Sequence, residues 1–153
     1  MTIEENLKKL NIVLPVAPNP VGAYVAYKKI GNLVFISGQI SLKSNGELIK
    51  GKIGTDLTLA QGQEAAQVCA INILSQIKSA CDGDLNRVKN CIKITGYVNS
   101  KDTFVDQPKI INGASELLVK IFEEKGKHSR AAVSVSSLPL GAAVEIEAIF
   151  ETN

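Results

Sequence analysis

The chain has 153 residues, 45% of them hydrophobic and 21% charged, and its formal net charge at pH 7 is only +2. That length fits one domain with a real core, and a near-balanced charge without clustered Lys and Arg argues against a nucleic-acid partner. Aromatic residues make up 5% and Trp is absent, so the core has to be aliphatic.

Cys69, Cys81 and Cys91 are the three cysteines. An odd count with no CxxC pair argues against a disulfide framework or a zinc site. Buried thiols in a reducing cytoplasm are the expectation. The start, Met1-Thr2-Ile3-Glu4-Glu5, lacks the basic and apolar regions of a signal peptide. No apolar run reaches the length of a membrane span, so no membrane partner is expected.

In chain order, Ile3 to Leu10 places Leu7 and Leu10 three apart, as on a short amphipathic helix. Pro15, Pro18 and Pro20 then forbid a helix. Residues 1–20 read as an extension lying across a single domain that spans 1–153. Tyr24–Tyr27 and Leu33–Ile36 are apolar runs around Gly31-Asn32, the pattern of a hairpin. Gly38, directly after the second run, predicts a kink or a backbone left open to a ligand. Asn45-Gly46 marks a turn.

Thr58-x-x-Gln61 is a capping box, and Leu59, Ala66, Cys69, Ala70, Ile73 and Ile77 continue it at helical spacing until Gly83. Val88, Cys91–Ile94 and Tyr97-Val98 predict a long strand, with Gly96 at a bulge. Asp106 and Pro108 open a second long helix, whose apolar face is Ile110, Ile111, Ala114, Leu117, Leu118, Ile121 and Phe122, and Gly126 ends it. The remaining stretch, Lys127 to Phe150, has two apolar runs around Leu138-Pro139-Leu140-Gly141 and reads as a second hairpin.

This order predicts an α+β sheet with two helices on one face. Alternation places Ala132, Ser134 and Glu145 on the other face. A half-apolar face left bare is an association surface, so oligomerisation is expected.

Five segments, taken together, resemble the RidA/YjgF family of enamine/imine deaminases, formerly called the endoribonuclease L-PSP family. They are Gly22-Ala23-Tyr24, Gly31 through Ile40 with its Ser37-Gly38-Gln39 step, Ser129-Arg130-x-x-Val133, Leu138-Pro139, and Val144-Glu145-Ile146-Glu147-Ala148. The resemblance covers nearly the whole chain. It implies a chorismate-mutase-like fold with a mixed β-sheet, a homotrimer with clefts between subunits, and hydrolysis of reactive enamines and imines to 2-keto acids and ammonia. It implies no cofactor and no metal.

By position, Arg130 matches the arginine that pairs with the substrate carboxylate, and Glu145 the acid that positions or activates water. Ser37 and Tyr24 match hydroxyl-bearing pocket residues, Asn112 a pocket asparagine, and Gly38 a backbone contact. The chain departs from the family at Ala23, where Pro is usual, and at Ala132, where Cys is common. With its extension and longer entry to the second helix, it resembles a divergent, longer subgroup. A non-catalytic trimer that binds a small carboxylate metabolite is the alternative. A ribonuclease is disfavoured by the charge.

The residue chemistry is compatible with these assignments. A guanidinium fork matches a carboxylate bidentately. Burial would raise the pKa of Glu145 and a nearby Arg would lower it, and the sequence leaves that balance open. Glu147 reads as structural. His128, the one histidine, lies beside Lys127 with no acid or nucleophile partner in view and reads as structural or solvated. No Ser/His/Asp set, metal-ligand cluster or Gly-rich phosphate loop is present.

Overall fold

The chain, described over residues 1–153 by a computed structural model, opens with α1 (Ile3–Lys9). Thr2 caps this helix reciprocally: its hydroxyl accepts from Glu5 N, and the Glu5 carboxylate accepts from Thr2 N. Residues 12–26 follow without helix or strand, as the three prolines require. Gln76 Nε2 pins this strap by donating to the Pro18 carbonyl at 2.8 Å.

β1 (Tyr27–Ile30) and β2 (Leu33–Ile40) form the first hairpin, with Gly31 at φ +55° in the turn. The predicted strand began at Tyr24; pairing begins at Tyr27, so Tyr24 belongs to the strap. α2 (Leu59–Ala80) carries the expected capping box at Thr58. It is closed by Asp82 and Gly83, both at positive φ, with Gly83 N donating to the Lys78 carbonyl. β3 (Val88–Asn99), α3 (Gln107–Phe122), β4 (Ser129–Val135) and β5 (Val144–Thr152) complete the chain. The seven apolar positions predicted for α3 are all buried.

The sheet order is β1-β2-β5-β3-β4, with β4 parallel to β3 and the other pairs antiparallel. The expected second hairpin is therefore absent. β5 inserts between β2 and β3, while β4 lies on the far side of β3. Turn residues at 138–141 report that the chain reverses, not which strand it then joins. β3, α3 and β4 form a βαβ crossover, the connection that parallel neighbours need. Val144, Ile146 and Phe150 are fully buried, which suits β5 to the centre, while β4 is partly exposed throughout and suits an edge.

The expected open face needs the same correction. The β3–β4 register aligns Arg130, Ala132 and Ser134 with Ile94, Gly96 and Val98, which are buried beneath the helices. Ala132 and Ser134 thus face the helix layer. Glu145 and Glu147 share the open face with Tyr97, Thr95, Ala131 and Val133. Alternation supplies a period of two but no phase, and the Ala-Ala-Val-Ser run is small on both sides.

Nor does Gly96 mark a bulge. It pairs regularly with Ile146 and Ala132, and a Cβ there would collide with the Ile111 side chain. Its role is to let α3 settle on β3. The irregularities of β3 lie earlier, between Val88 and Asn90 and between Cys91 and Lys93. The helix layer, expected to hold two members, holds three: α1 is tied to the end of α3 by Asn6 Nδ2, which donates to the Ile121 carbonyl at 2.9 Å. No helix is long and apolar enough to cross a membrane.

Candidate functional site

Apart from Ser37, the predicted site residues fall into two groups on opposite faces of the sheet. The first lines a cleft of about 480 Å³ between the strap, the end of β2 and the start of β5. Tyr24, Gly38 and Glu145 all border it, with Pro18, Pro20, Val21 and Leu140 supplying apolar wall. Tyr24 and Glu145 are its ionisable groups.

β2 slips register against β5 between Ile36 and Gln39, so the chain bulges at Ser37-Gly38. Glu145 lies against that bulge. A side chain on Gly38 would put its Cβ 2.6 Å from Glu145 Oε2, so only glycine allows the carboxylate this position. The expected kink is real, and it makes room for a protein carboxylate. Glu145 accepts no hydrogen bond from the chain and is half-buried. Burial first, and the neighbouring charge of Glu147 second, raise its pKa above the usual glutamate value. Within one chain, burial decides the balance that the sequence left open.

Ser37 does not join this group. Its hydroxyl donates to the Val25 carbonyl at 2.7 Å, and it borders a separate cavity of about 350 Å³ with Lys93, Thr95 and Glu147. Glu147 itself accepts from the Tyr97 hydroxyl at 2.9 Å, and that bond is the main reason the Tyr97 pKa is raised.

The second group sits between α3 and the edge strand β4. Arg130 Nη1 donates to Asn112 Oδ1 at 2.7 Å and to Ser115 Oγ at 3.2 Å. Asn112, expected as a pocket residue, thus lies beside Arg130. No carboxylate lies in ion-pair range of Arg130, whereas the other arginine, Arg87, is paired with Asp82 at 2.8 Å. A half-buried guanidinium without a counter-ion is a ready anion site. Asn112 and Ser115 are three apart on one helix and so share a face, a spacing visible in the sequence.

His128 belongs here as well. Its Nε2 lies 2.8 Å from Ser115 Oγ and its Nδ1 2.6 Å from the Gly126 carbonyl. Of the two roles expected for His128, structural or solvated, these bonds fit the structural one. Burial chiefly, and Arg130 in addition, lower its pKa against the opposing pull of the Gly126 carbonyl. The partner comes from α3, thirteen residues back, which loop composition cannot reveal.

One chain does not bring Arg130 and Glu145 together. β3 separates their strands, and Arg130 faces the helices while Glu145 faces away. No group of three or more His, Cys, Asp or Glu residues is placed to hold a metal. The three thiols are buried; desolvation raises the pKa of Cys91 to about 12 and that of Cys69 well above its usual value.

Residues 4–151 match a family model described as "YjgF/chorismate mutase-like, putative endoribonuclease". Among curated proteins, Protein TCP17 of Trypanosoma cruzi is 43% identical, over 99% of this chain and 94% of its own length. The mouse 2-iminobutanoate/2-iminopropanoate deaminase is 31% identical, over 87% of this chain and 84% of its own. Among solved structures, protein Atu1372 of Agrobacterium tumefaciens, described as of unknown function, superposes with a TM-score of 0.92 at 44% identity, covering 99% of this chain and 94% of its own. A model match running almost end to end, on a fold shared with a relative this similar, makes the chain a member of the YjgF/RidA family.

Proposed function

We propose that this protein hydrolyses reactive enamines and imines derived from amino acids, giving 2-keto acids and ammonia in a site shared between neighbouring copies of a homotrimer. The observation that carries this reading is the division of labour across the sheet. An unpaired guanidinium waits on one face, and a half-buried carboxylate free of hydrogen bonds waits in a cleft on the other. Each is half of a site for an imino acid, and a second copy can bring them together. Leu33, Phe35 and Val133, between 36% and 45% exposed on the open face, are apolar surface for such packing. The threefold symmetry rests on the family.

In this reading Arg130 binds the substrate carboxylate and so fixes the carbon that water attacks. Glu145 takes a proton from that water as its oxygen bonds to the imine carbon. Glu145 passes that proton to the nitrogen, which gives the carbinolamine, and then relays the hydroxyl proton of the carbinolamine to the nitrogen as the C–N bond breaks, the C=O forms and ammonia leaves. A raised pKa suits a carboxyl that must take a proton and return it. Tyr24 stands at the cleft as a hydroxyl donor. The chemistry requires no cofactor. The buried thiols suit a reducing compartment, and we place the protein in the cytoplasm.

The name of the mouse relative supports this substrate class. The test is to generate 2-aminoacrylate with a pyridoxal-phosphate enzyme and follow keto acid with and without the protein. Faster keto-acid release is expected. No acceleration with imines from several amino acids would remove the catalytic claim. A second reading, carboxylate binding without turnover, draws on Ala132 standing where the deaminases commonly have cysteine. It predicts thermal stabilisation by keto acids alongside an unchanged rate.

A further inference from the structure

Arg130 ends a hydrogen-bonded chain whose direction follows from donor and acceptor chemistry. The Gly126 carbonyl can only accept, so His128 Nδ1, 2.6 Å away, carries the proton. In the neutral ring Nε2 is then an acceptor, and the Ser115 hydroxyl donates to it at 2.8 Å. That orientation turns a lone pair of Ser115 Oγ toward Arg130, whose Nη1 donates into it at 3.2 Å. The other Nη1 hydrogen goes to Asn112 Oδ1 at 2.7 Å. Both Nη1 hydrogens are thereby committed to α3. Arg130 makes no further side-chain hydrogen bond, so the Nε–Nη2 edge remains, two parallel donors at the spacing of a carboxylate.

We propose that Ser115 and His128 are positioning residues that lock Nη1 of Arg130 and so present its Nε–Nη2 edge to the carboxylate of the substrate. The inference rests on the reading of Arg130 as the carboxylate anchor. A long arginine side chain loses considerable rotamer freedom when a ligand immobilises it. Fixing one nitrogen beforehand moves that loss from binding to folding.

The lock works only with a neutral imidazole. In the protonated ring both nitrogens donate. Ser115 Oγ would then receive hydrogens from His128 and Arg130 at once, and two cations would share one serine. The surroundings disfavour protonation of His128: burial chiefly, and the Arg130 charge in addition, act against the opposing pull of the Gly126 carbonyl. On its own segment Lys127 is engaged with Glu124 at 2.6 Å, and α3 faces the cluster with uncharged Asn112 and Ser115.

The experiment uses the full chain in its native assembly, with pyruvate as the binding probe and 2-aminoacrylate as the substrate. Ser115→Ala and His128→Phe are expected to weaken pyruvate binding and raise KM by roughly tenfold, with kcat nearly unchanged. Ser115→Thr, which keeps the hydroxyl, should restore both. A merely structural role would lower the melting temperature without splitting KM from kcat. The chain holds a single histidine, so nitrogen NMR reads its tautomer without assignment. The Nδ1–H form is expected at neutral pH, and this measurement stands even if the Phe variant fails to fold. An Nε2–H tautomer overturns the inference. So do Ser115→Ala and His128→Phe proteins that bind pyruvate as the wild type does while Arg130→Ala does not. If Arg130→Ala binds pyruvate as well as the wild type, the anchor reading falls, and the inference with it.

Discussion

At the scale of single residues, Glu145 and Arg130 occupy opposite electrostatic situations. Arg130 is a guanidinium held by neutral acceptors, Asn112 and Ser115. Glu145 is a carboxyl under pressure to protonate, from burial and from Glu147 beside it. A carboxyl whose pKa is raised by folding contributes stability that is complete below its unfolded pKa and is lost as pH rises through the folded value. Glu145→Gln removes that loss. Because the group is half-exposed and screened, the gain at neutral pH should stay below about 1 kcal/mol, a rise in melting temperature of no more than about 3 °C. In acid the two proteins should converge, which calorimetry across the pH range checks. Turnover should meanwhile fall at least about a hundredfold, the usual worth of a general base. A variant that lost stability at neutral pH would contradict the electrostatic account of this site.

At the scale of elements, glycines decide how closely the helices approach. Gly113 of α3 lies against the backbone of α2: a Cβ there would strike the Gln63 carbonyl. Gly62 of α2 meets Ile110 of α3, with room for no side chain. On an isolated helix, Gly→Ala is favourable by about 1 kcal/mol. At Gly113 the sign should reverse, because backbone cannot yield as a flexible side chain can. We expect Gly113→Ala to destabilise by about 1–3 kcal/mol, read as a lower urea midpoint with an unchanged slope. The displacement would also carry Asn112 and Ser115 away from Arg130, which ties helix packing to the anion site.

At the scale of the whole molecule, the open sheet face couples assembly to chemistry. Phe35, 41% exposed, sits there opposite Ile149 on β5. Under the proposed function this face is covered in a trimer, and the two half-sites meet across the boundary. Light scattering should give three times the chain mass. Phe35→Glu should yield folded, smaller species that neither bind pyruvate tightly nor accelerate imine hydrolysis. A folded monomer with full activity would separate the site from the assembly.

The sequence by itself determined the local structure. The capping box at Thr58, the Gly31-Asn32 turn, the proline strap and the buried face of α3 were all legible, because each depends on residues within a few positions of one another. The family motifs also named Tyr24, Gly38, Arg130 and Glu145. Tertiary structure alone decided how those residues group. Strand order is set by which sides bury the most apolar surface, so β5 went to the centre and β4 to an edge, although a turn joins them in sequence. That choice set the phase of β4, sent Arg130 to the helix face, and gave His128 its serine. It also split the carboxylate from the guanidinium, because pairing energy depends on contacts between residues far apart in the chain, and local patterns carry no record of them.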